Sequence, residues 1–379
     1  MPSSAGYSGP KVKSDLLVEF SADADSLSLS GFTSEQEEAV RNTAERLEIS
    51  SGTAVAHDCG ATPWVAAARF EAAVRRELGD NFLPLPPAEQ WTVHYKDRPR
   101  RSRLYAPGNK PRFIQKAAAA NADGIILDLE DSVTPERKDE ARILVAYALA
   151  SVDFGDTEVM VRINQGERAA DDLNWIVPQP VQHILIPKVE LAEDVSATRD
   201  MVEAAMDLCG RTAFPWLMPI LESPRGILNA LSVADSVPEM AALTLGLQDL
   251  TAEIGIMPTP EGTESFTARS IVVLAARAAG LQPIDTVYAD VKNLDGLRKS
   301  IKDAKALGFV GKGCIHPSQV LPVEEGFMPS EAQIDKARKI VAAMREAEEK
   351  GLGAVALGSK MIDPPVARQA MAVLKLIGE

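Results

Sequence analysis

The sequence predicts an α/β protein: a (β/α)8 TIM barrel with a small N-terminal α+β unit and a C-terminal helical extension. Three observations carry this. Eight strand-like runs alternate with amphipathic stretches over roughly 220 residues, the arithmetic of eight βα repeats. Two successive runs, Trp216–Leu221 and Ala242–Leu247, are followed by a carboxylate, Glu222 and Asp249, and a barrel gathers its strand ends on one rim. The turn after the first run, Ala106-Pro107-Gly108-Asn109, is not the Gly-rich phosphate turn of the competing architecture, an open doubly wound sheet.

Composition sets the bounds. A chain of 379 residues with 46% hydrophobic content has room for a sizeable core in two domains, or in one barrel with an attachment. A formal net charge of −14 argues against a nucleic-acid-binding surface, while leaving room for local basic pockets. Cys59, Cys209 and Cys314 are far apart and form no CxxC pair, which fits a reducing compartment and gives no hint of zinc. No apolar run approaches the ~18 residues of a membrane span. The first ~14 residues lack an apolar signal core and read as a disordered lead-in. A cytoplasmic protein is the expectation.

The front unit is expected over residues 1–88. Asp15–Ser21 and Ser26–Phe32 read as strands of a hairpin across the polar Ala22–Asp25. Ser34 is the expected N-cap of a helix on which Ala39, Val40, Ala44 and Leu47 repeat with helical spacing. Thr53–His57 is a third strand. A second helix runs from about Thr62 to Leu78, with Pro63 at its start and Gly79 at its end. The Pro-rich stretch that follows leads into a linker, residues 89–98. With a core of its own, the barrel behind it is expected to fold without the front unit.

The barrel is expected over residues 99–320, with strands Arg103–Ala106, Gly124–Leu129, Val159–Ile163, His183–Val189, Trp216–Leu221, Ala242–Leu247, Asp285–Ala289 and Lys312–His316. Its chemistry is read from the strand ends. Glu222 and Asp249 on one rim suit a hard divalent cation such as Mg²⁺; for either alone, a helix cap or a surface ion pair is the competing reading. Asp128 and Glu130 alternate onto one face after strand two and are candidates to hold metal-bound water. Arg162, ending strand three, suits a carboxylate or an oxyanion, or else a structural ion pair with Asp128 or Glu130. Arg112 lies in a basic loop suited to a phosphate or carboxylate, or simply to solvent. Lys188 ends strand four as a substrate contact or the counterion of the acidic rim. His316, after strand eight, is an acid/base or thioester contact, or structural. In the extension, 321–379, a helix over Ser330–Lys350 and a Gly-rich bend precede Asp363, set between an apolar pair and two prolines.

The front unit resembles the acyl carrier (gamma) subunit of citrate lyase, on Val55-Ala56-His57-Asp58-Cys59-Gly60-Ala61 and Ala67-Ala68-Arg69-Phe70-Glu71-Ala72-Ala73. Such carriers hold a phosphoribosyl-dephospho-CoA arm on a serine just before their first strand. Here that place is Val12-Lys13-Ser14-Asp15. Aligned on Asp15, Lys13 takes the usual attachment position and Ser14 stands one place late. Ser14 is the attachment candidate; a vestigial domain kept for packing or assembly is the alternative.

The barrel resembles the citrate lyase beta subunit within the HpcH/HpaI aldolase family. The motifs are Arg101–Val133, Val161-Arg162-Ile163-Asn164, Leu185-Ile186-Pro187-Lys188, Leu221-Glu222-Ser223, Gln248-Asp249-Leu250, Cys314–Gln319 and Lys360–Val366. The resemblance implies a Mg²⁺-dependent lyase acting on a citryl thioester, on CoA or on a carrier, and yielding an acetyl thioester and oxaloacetate. Malyl-, methylmalyl- and citramalyl-thioesters are the substrates of family siblings. By the same resemblance Glu222 and Asp249 bind Mg²⁺, Arg162 holds the 2-oxo acid half, and Asp363 comes from a neighbouring subunit to handle the acetyl proton. A homo-oligomer (trimer or hexamer) with shared sites follows, with citrate lyase-type subunits as further partners. A non-catalytic scaffold is the reading from another class. A pyruvate aldolase acting on free acids needs a histidine base that the first strand ends do not offer.

Overall fold

The computed structural model describes residues 2–91, 94–259, 262–357 and 360–379. Residues 1–323 form one compact unit and 324–379 a second.

The first unit opens with a four-stranded sheet: β1 (Ser3–Gly6), β2 (Leu16–Ser21), β3 (Leu27–Ser30) and β4 (Gly52–Asp58), in the order β1-β2-β4-β3. Two expectations are corrected here. The lead-in is not wholly without structure, because Ser3–Gly6 pairs antiparallel with β2 as an edge strand. Nor do β2 and β3 form a hairpin. β4 pairs with every residue of β2, from Leu16↔Asp58 to Ser21↔Thr53, and takes β3 on its other side in parallel. The helix Ser34–Arg46 between β3 and β4 supplies the crossover that a parallel pair requires. Its N-cap is Thr33, not Ser34, in a reciprocal capping box with Gln36.

The second helix, Pro63–Leu78, is buried along most of its length, Val65 to Arg75. It lies between the small sheet and the barrel helix Lys138–Ser151. Charged groups are sealed into that seam. Arg69 is fully buried, gripping Asp15 at 3.0 and 2.9 Å and reaching Glu140 of the barrel at 3.1 Å. It also donates to the carbonyl of Asn109 on the barrel's rim, 3.1 Å away. The Tyr147 hydroxyl of the barrel donates to Glu71 at 2.7 Å. The front unit is therefore welded onto the barrel and does not merely hang from a linker.

The barrel closes in the order β5 to β12: Ser102–Pro107, Gly124–Asp128, Glu158–Arg162, His183–Ile186, Trp216–Leu221, Ala242–Leu245, Gln282–Asp285 and Gly311–Cys314, with β12 pairing back onto β5. All pairings are parallel. Ile126, Met160, Leu185, Met218, Ile220, Ala242 and Ile284 fill the interior. Strand seven is displaced from its expected place: Asp285 ends it, and Thr286–Ala289, β-rich as a sequence, lies beyond on the rim. Pairing decides this, since Gln282 donates to Ala241 and so joins its strand to β10.

In the second unit, helix Glu331–Glu349 starts from a capping box between Ser330 and Gln333. A small hairpin follows, β13 (Val355–Leu357) against β14 (Lys360–Ile362), and then helix Pro364–Lys375. Ile340, Met344, Ile362 and Leu374 form its core.

Candidate active site

A cavity of about 410 Å³ opens at the C-terminal ends of the barrel strands, and Asp128, Arg162, Glu222 and Asp249 all line it. Glu222 directly follows β9 and is 4% exposed. Its Oε1 accepts the backbone N–H of Lys188 at 2.7 Å. Gly246 makes room for it: a Cβ there would lie 2.3 Å from Oε2. Burial pushes the Glu222 carboxyl up to about 8; the neighbouring charges of Asp249 and Glu130 add to the rise, and the Lys188 N–H and Arg162 oppose it. Asp249 sits in the first turn of helix Leu247–Ile254. Its carboxylate has no partner among the described residues. Two oxygen-donor side chains thus face one space. No three His, Cys, Asp or Glu side chains converge to cage an ion among the described residues. Two carboxylates beside open space fit a hard cation that keeps water and substrate oxygens as its other ligands.

Arg162 is clamped rather than free. Asp128 takes it bidentately at 2.6 and 2.7 Å, and Glu130 lies 3.1 Å from Nη1. Burial works against both charges, but the pairing wins. Asp128 is held below the usual carboxylate range and Arg162 above its ordinary value. The guanidinium also lies 5.5 Å over the ring of Tyr105. Lys188 adopts a left-handed φ of +52° and sets its ammonium 2.7 Å from Glu130 and 3.5 Å from Asp131. Asp128 and Glu130, expected to hold metal-bound water, are here the counterions that orient Arg162 and Lys188.

The other sequence-predicted residues fall elsewhere. Arg112 is half-buried in the first turn of helix Pro111–Ala118 and does not line the cavity. His316 is exposed; its Nδ1 lies 2.8 Å from the Ser318 hydroxyl, at the start of the 3-10 turn Pro317–Gln319. Ser14 precedes β2 with φ +56°, its N–H donating to Cys59 at 2.9 Å. Asp363, in the second unit, accepts the Val366 N–H at 3.1 Å and caps the helix that begins at Pro364. That cap is the structural role its setting just before two prolines allows.

Several residues of the cavity and its rim escaped sequence reasoning. Tyr105, Thr244, Gly246 and Arg103 line the cavity. Lys138 stitches the rim, donating to the carbonyls of Leu129 and Glu130 at 3.0 and 2.8 Å and to the Asn164 side chain. The signal for Arg103 was present: a cation inside a barrel strand, sharing the alternation of Tyr105.

Comparison with known proteins places the chain in a family. Residues 101–317 match the HpcH/HpaI aldolase/citrate lyase family, and residues 12–77 match the malonate decarboxylase delta subunit family of carrier proteins. Citrate lyase subunit beta of Escherichia coli is 36% identical over 74% of this chain and 93% of its own length. Human mitochondrial citramalyl-CoA lyase is 35% identical over 75% of this chain and 87% of its own. A Mycobacterium tuberculosis protein solved with magnesium, acetoacetate and coenzyme A superposes with a TM-score of 0.63 at 30% identity, covering 75% of this chain and 100% of that one. The family match spans more than half of the sequence, and the chain belongs to the HpcH/HpaI aldolase/citrate lyase family.

Proposed function

We propose that this chain is a Mg²⁺-dependent carbon–carbon lyase that cleaves a citryl or related 3-hydroxyacyl thioester by retro-Claisen chemistry. The products are an acetyl thioester and a 2-oxo acid. The observation that carries the reading is the one cavity in which Glu222, Asp249 and Arg162 meet. Glu222 and Asp249 would hold the ion, and magnesium bound there would supply positive charge that lowers the pKa of the substrate's hydroxyl. Arg162, fixed by Asp128 and Glu130, stabilises negative charge on the substrate's oxygens without having to reorganise. Tyr105 forms a wall of the cavity, and burial keeps its phenol protonated. Relatives named citrate lyase subunit beta, citramalyl-CoA lyase and L-malyl-CoA/beta-methylmalyl-CoA lyase favour the thioester class.

The proton for the departing enolate is assigned to Asp363 of a neighbouring copy in a homo-oligomer, by family resemblance. A second reading concerns the front unit: Ser14 carries a phosphoribosyl-dephospho-CoA arm. The carrier-family match of residues 12–77 supports it, and the intact mass of protein from its native host tests it. The main reading is tested by incubating the protein with Mg²⁺ and citryl-, citramalyl- and malyl-CoA. Release of free oxo acid is expected from at least one, and release from none would end the proposal.

A further inference from the structure

Arg103 is the one fully buried arginine lining the cavity among the described residues. It is the second residue of β5, two positions before Tyr105 and four before Pro107, so it stands below the rim, toward the barrel interior. Its Nη1 donates to the Thr244 hydroxyl at 2.9 Å and lies 2.8 Å from the Met218 sulfur. Its Nε and Nη2, though buried, have no hydrogen-bond partner among the described residues.

Other buried arginines of this molecule differ. Arg100 is held by Glu158 at 2.6 and 2.9 Å, Arg69 by Asp15 and Glu140, and Arg211 by four backbone carbonyls. Of the carboxylates that line the cavity, Asp285 is the one whose charge acts on the Arg103 guanidinium, and it is already committed. Lys312 binds it at 2.6 Å and Arg269 takes it bidentately at 3.1 and 2.9 Å. Three cations thus stand around one carboxylate, and burial pushes the Arg103 guanidinium down to about 10. A buried guanidinium with two idle donor nitrogens is costly unless an anion comes to it. The opposing strand position is Gly313, which puts no side chain in the way.

We infer that Arg103 anchors a second carboxylate on the oxo-acid half of the substrate. The substrate class is then a thioester whose hydroxyl-bearing carbon carries a carboxymethyl branch, and the product is a dicarboxylic 2-oxo acid. This inference rests on the lyase reading above. It assigns the three arms of that carbon: the 2-hydroxy-carboxylate to Arg162 and the cation that Glu222 and Asp249 would hold, the carboxymethyl to Arg103 below, and the thioester to the open mouth. A methyl or hydrogen in place of the carboxymethyl leaves the guanidinium unpaired, the kind of mismatch by which a polar site rejects an analogue.

The test compares full-length wild type, Arg103→Met and Arg103→Lys, using calorimetric binding of oxaloacetate and of pyruvate with Mg²⁺, and cleavage of citryl- and citramalyl-CoA. Wild type should prefer oxaloacetate by about tenfold or more. Arg103→Met should lose that preference and keep its pyruvate affinity within about threefold, which also reports an intact fold, while Arg103→Lys recovers part of it. Equal binding of both acids by wild type, or equal loss of both in Arg103→Met, overturns the inference. If no thioester is cleaved yet the preference still collapses in Arg103→Met, the lyase reading falls and the subsite stands. If thioesters are cleaved and Arg103→Met discriminates like wild type, the subsite falls and the lyase reading stands.

Discussion

The backbone N–H of Lys188 donates to Oε1 of Glu222 at 2.7 Å, from a residue held at a left-handed φ of +52°. The main chain therefore aims Glu222, and the Lys188 side chain serves Glu130. Replacing Lys188 with glycine keeps the N–H and suits the φ, so Mg²⁺ activation should survive. Replacing it with proline removes the donor and cannot take a positive φ. We expect Lys188→Gly to stay within about tenfold of wild-type kcat/KM and Lys188→Pro to lose at least about 100-fold. Equal kinetics for the two would show that the N–H does not orient Glu222.

Gly246 tests the ion site from its other side. Gly246→Ala drives a methyl group to 2.3 Å from Glu222 Oε2. It should weaken Mg²⁺ activation, with circular dichroism unchanged. Glu222→Gln and Asp249→Asn should each abolish Mg²⁺-dependent cleavage, because they remove a charged oxygen donor. Full activity of either variant in EDTA would refute the metal assignment.

The seam between the front unit and the barrel makes a stability prediction. Arg69→Met leaves Asp15 and Glu140 buried without their shared cation, which should cost about 3–5 kcal/mol in urea unfolding. A chain starting at Gln90 should aggregate, since it uncovers Tyr147 and Glu140, both buried in the whole protein. A soluble, active barrel from that truncation would mean that the seam is dispensable.

The parts of the fold that were legible have strong periodicity. Gly124–Asp128 and Trp216–Leu221 are apolar runs that could be little else than buried strands, and the carboxylates at two strand ends marked the rim. The misread parts depend on pairing partners that no local pattern encodes. Ser3–Gly6 is small and polar, and β2 supplies its structure. Thr286–Ala289 looks like a strand, but the ladder has already ended at Asp285. In the site, residue types were readable and their company only as alternatives. An ion pair of Arg162 with Asp128 or Glu130, and Lys188 as counterion of the acidic rim, were among the readings the residue types allowed. Nothing in the spacing chose them over substrate contacts, nor showed that Arg103 would be left with two unpartnered nitrogens.

Acid sensitivity should trace in part to His183. It is fully buried at the start of β8, 3.4 Å from Glu158. Burial holds its pKa below the ordinary value; Glu158 opposes this, and Arg100 and Arg103 add to it. The unfolded histidine, at about 6.5, binds a proton more readily than the folded one. Its stability contribution is therefore present above that pH and is lost as pH falls toward the folded value. Between about pH 7 and 5, the urea midpoint should fall less steeply for His183→Gln than for wild type. An unchanged slope would remove His183 as a cause.

The shared-site proposal can be decided by complementation, and the cap geometry makes the experiment clean. Asp363 accepts the Val366 N–H at the start of helix Pro364–Lys375. Asparagine caps a helix about as well as aspartate, so Asp363→Asn should keep that helix while losing the proton-transferring carboxyl. Glu222→Gln removes the ion ligand and keeps Asp363. Each variant alone should be inactive. When equal amounts are refolded together, a site drawing its carboxylate pair from one chain and its acid from another is fully wild type in about a quarter of cases. If Asp363 serves the barrel of its own chain, every site in the mixture carries one lesion. Activity near a quarter of wild type supports the shared site, and a dead mixture assigns Asp363 to its own chain.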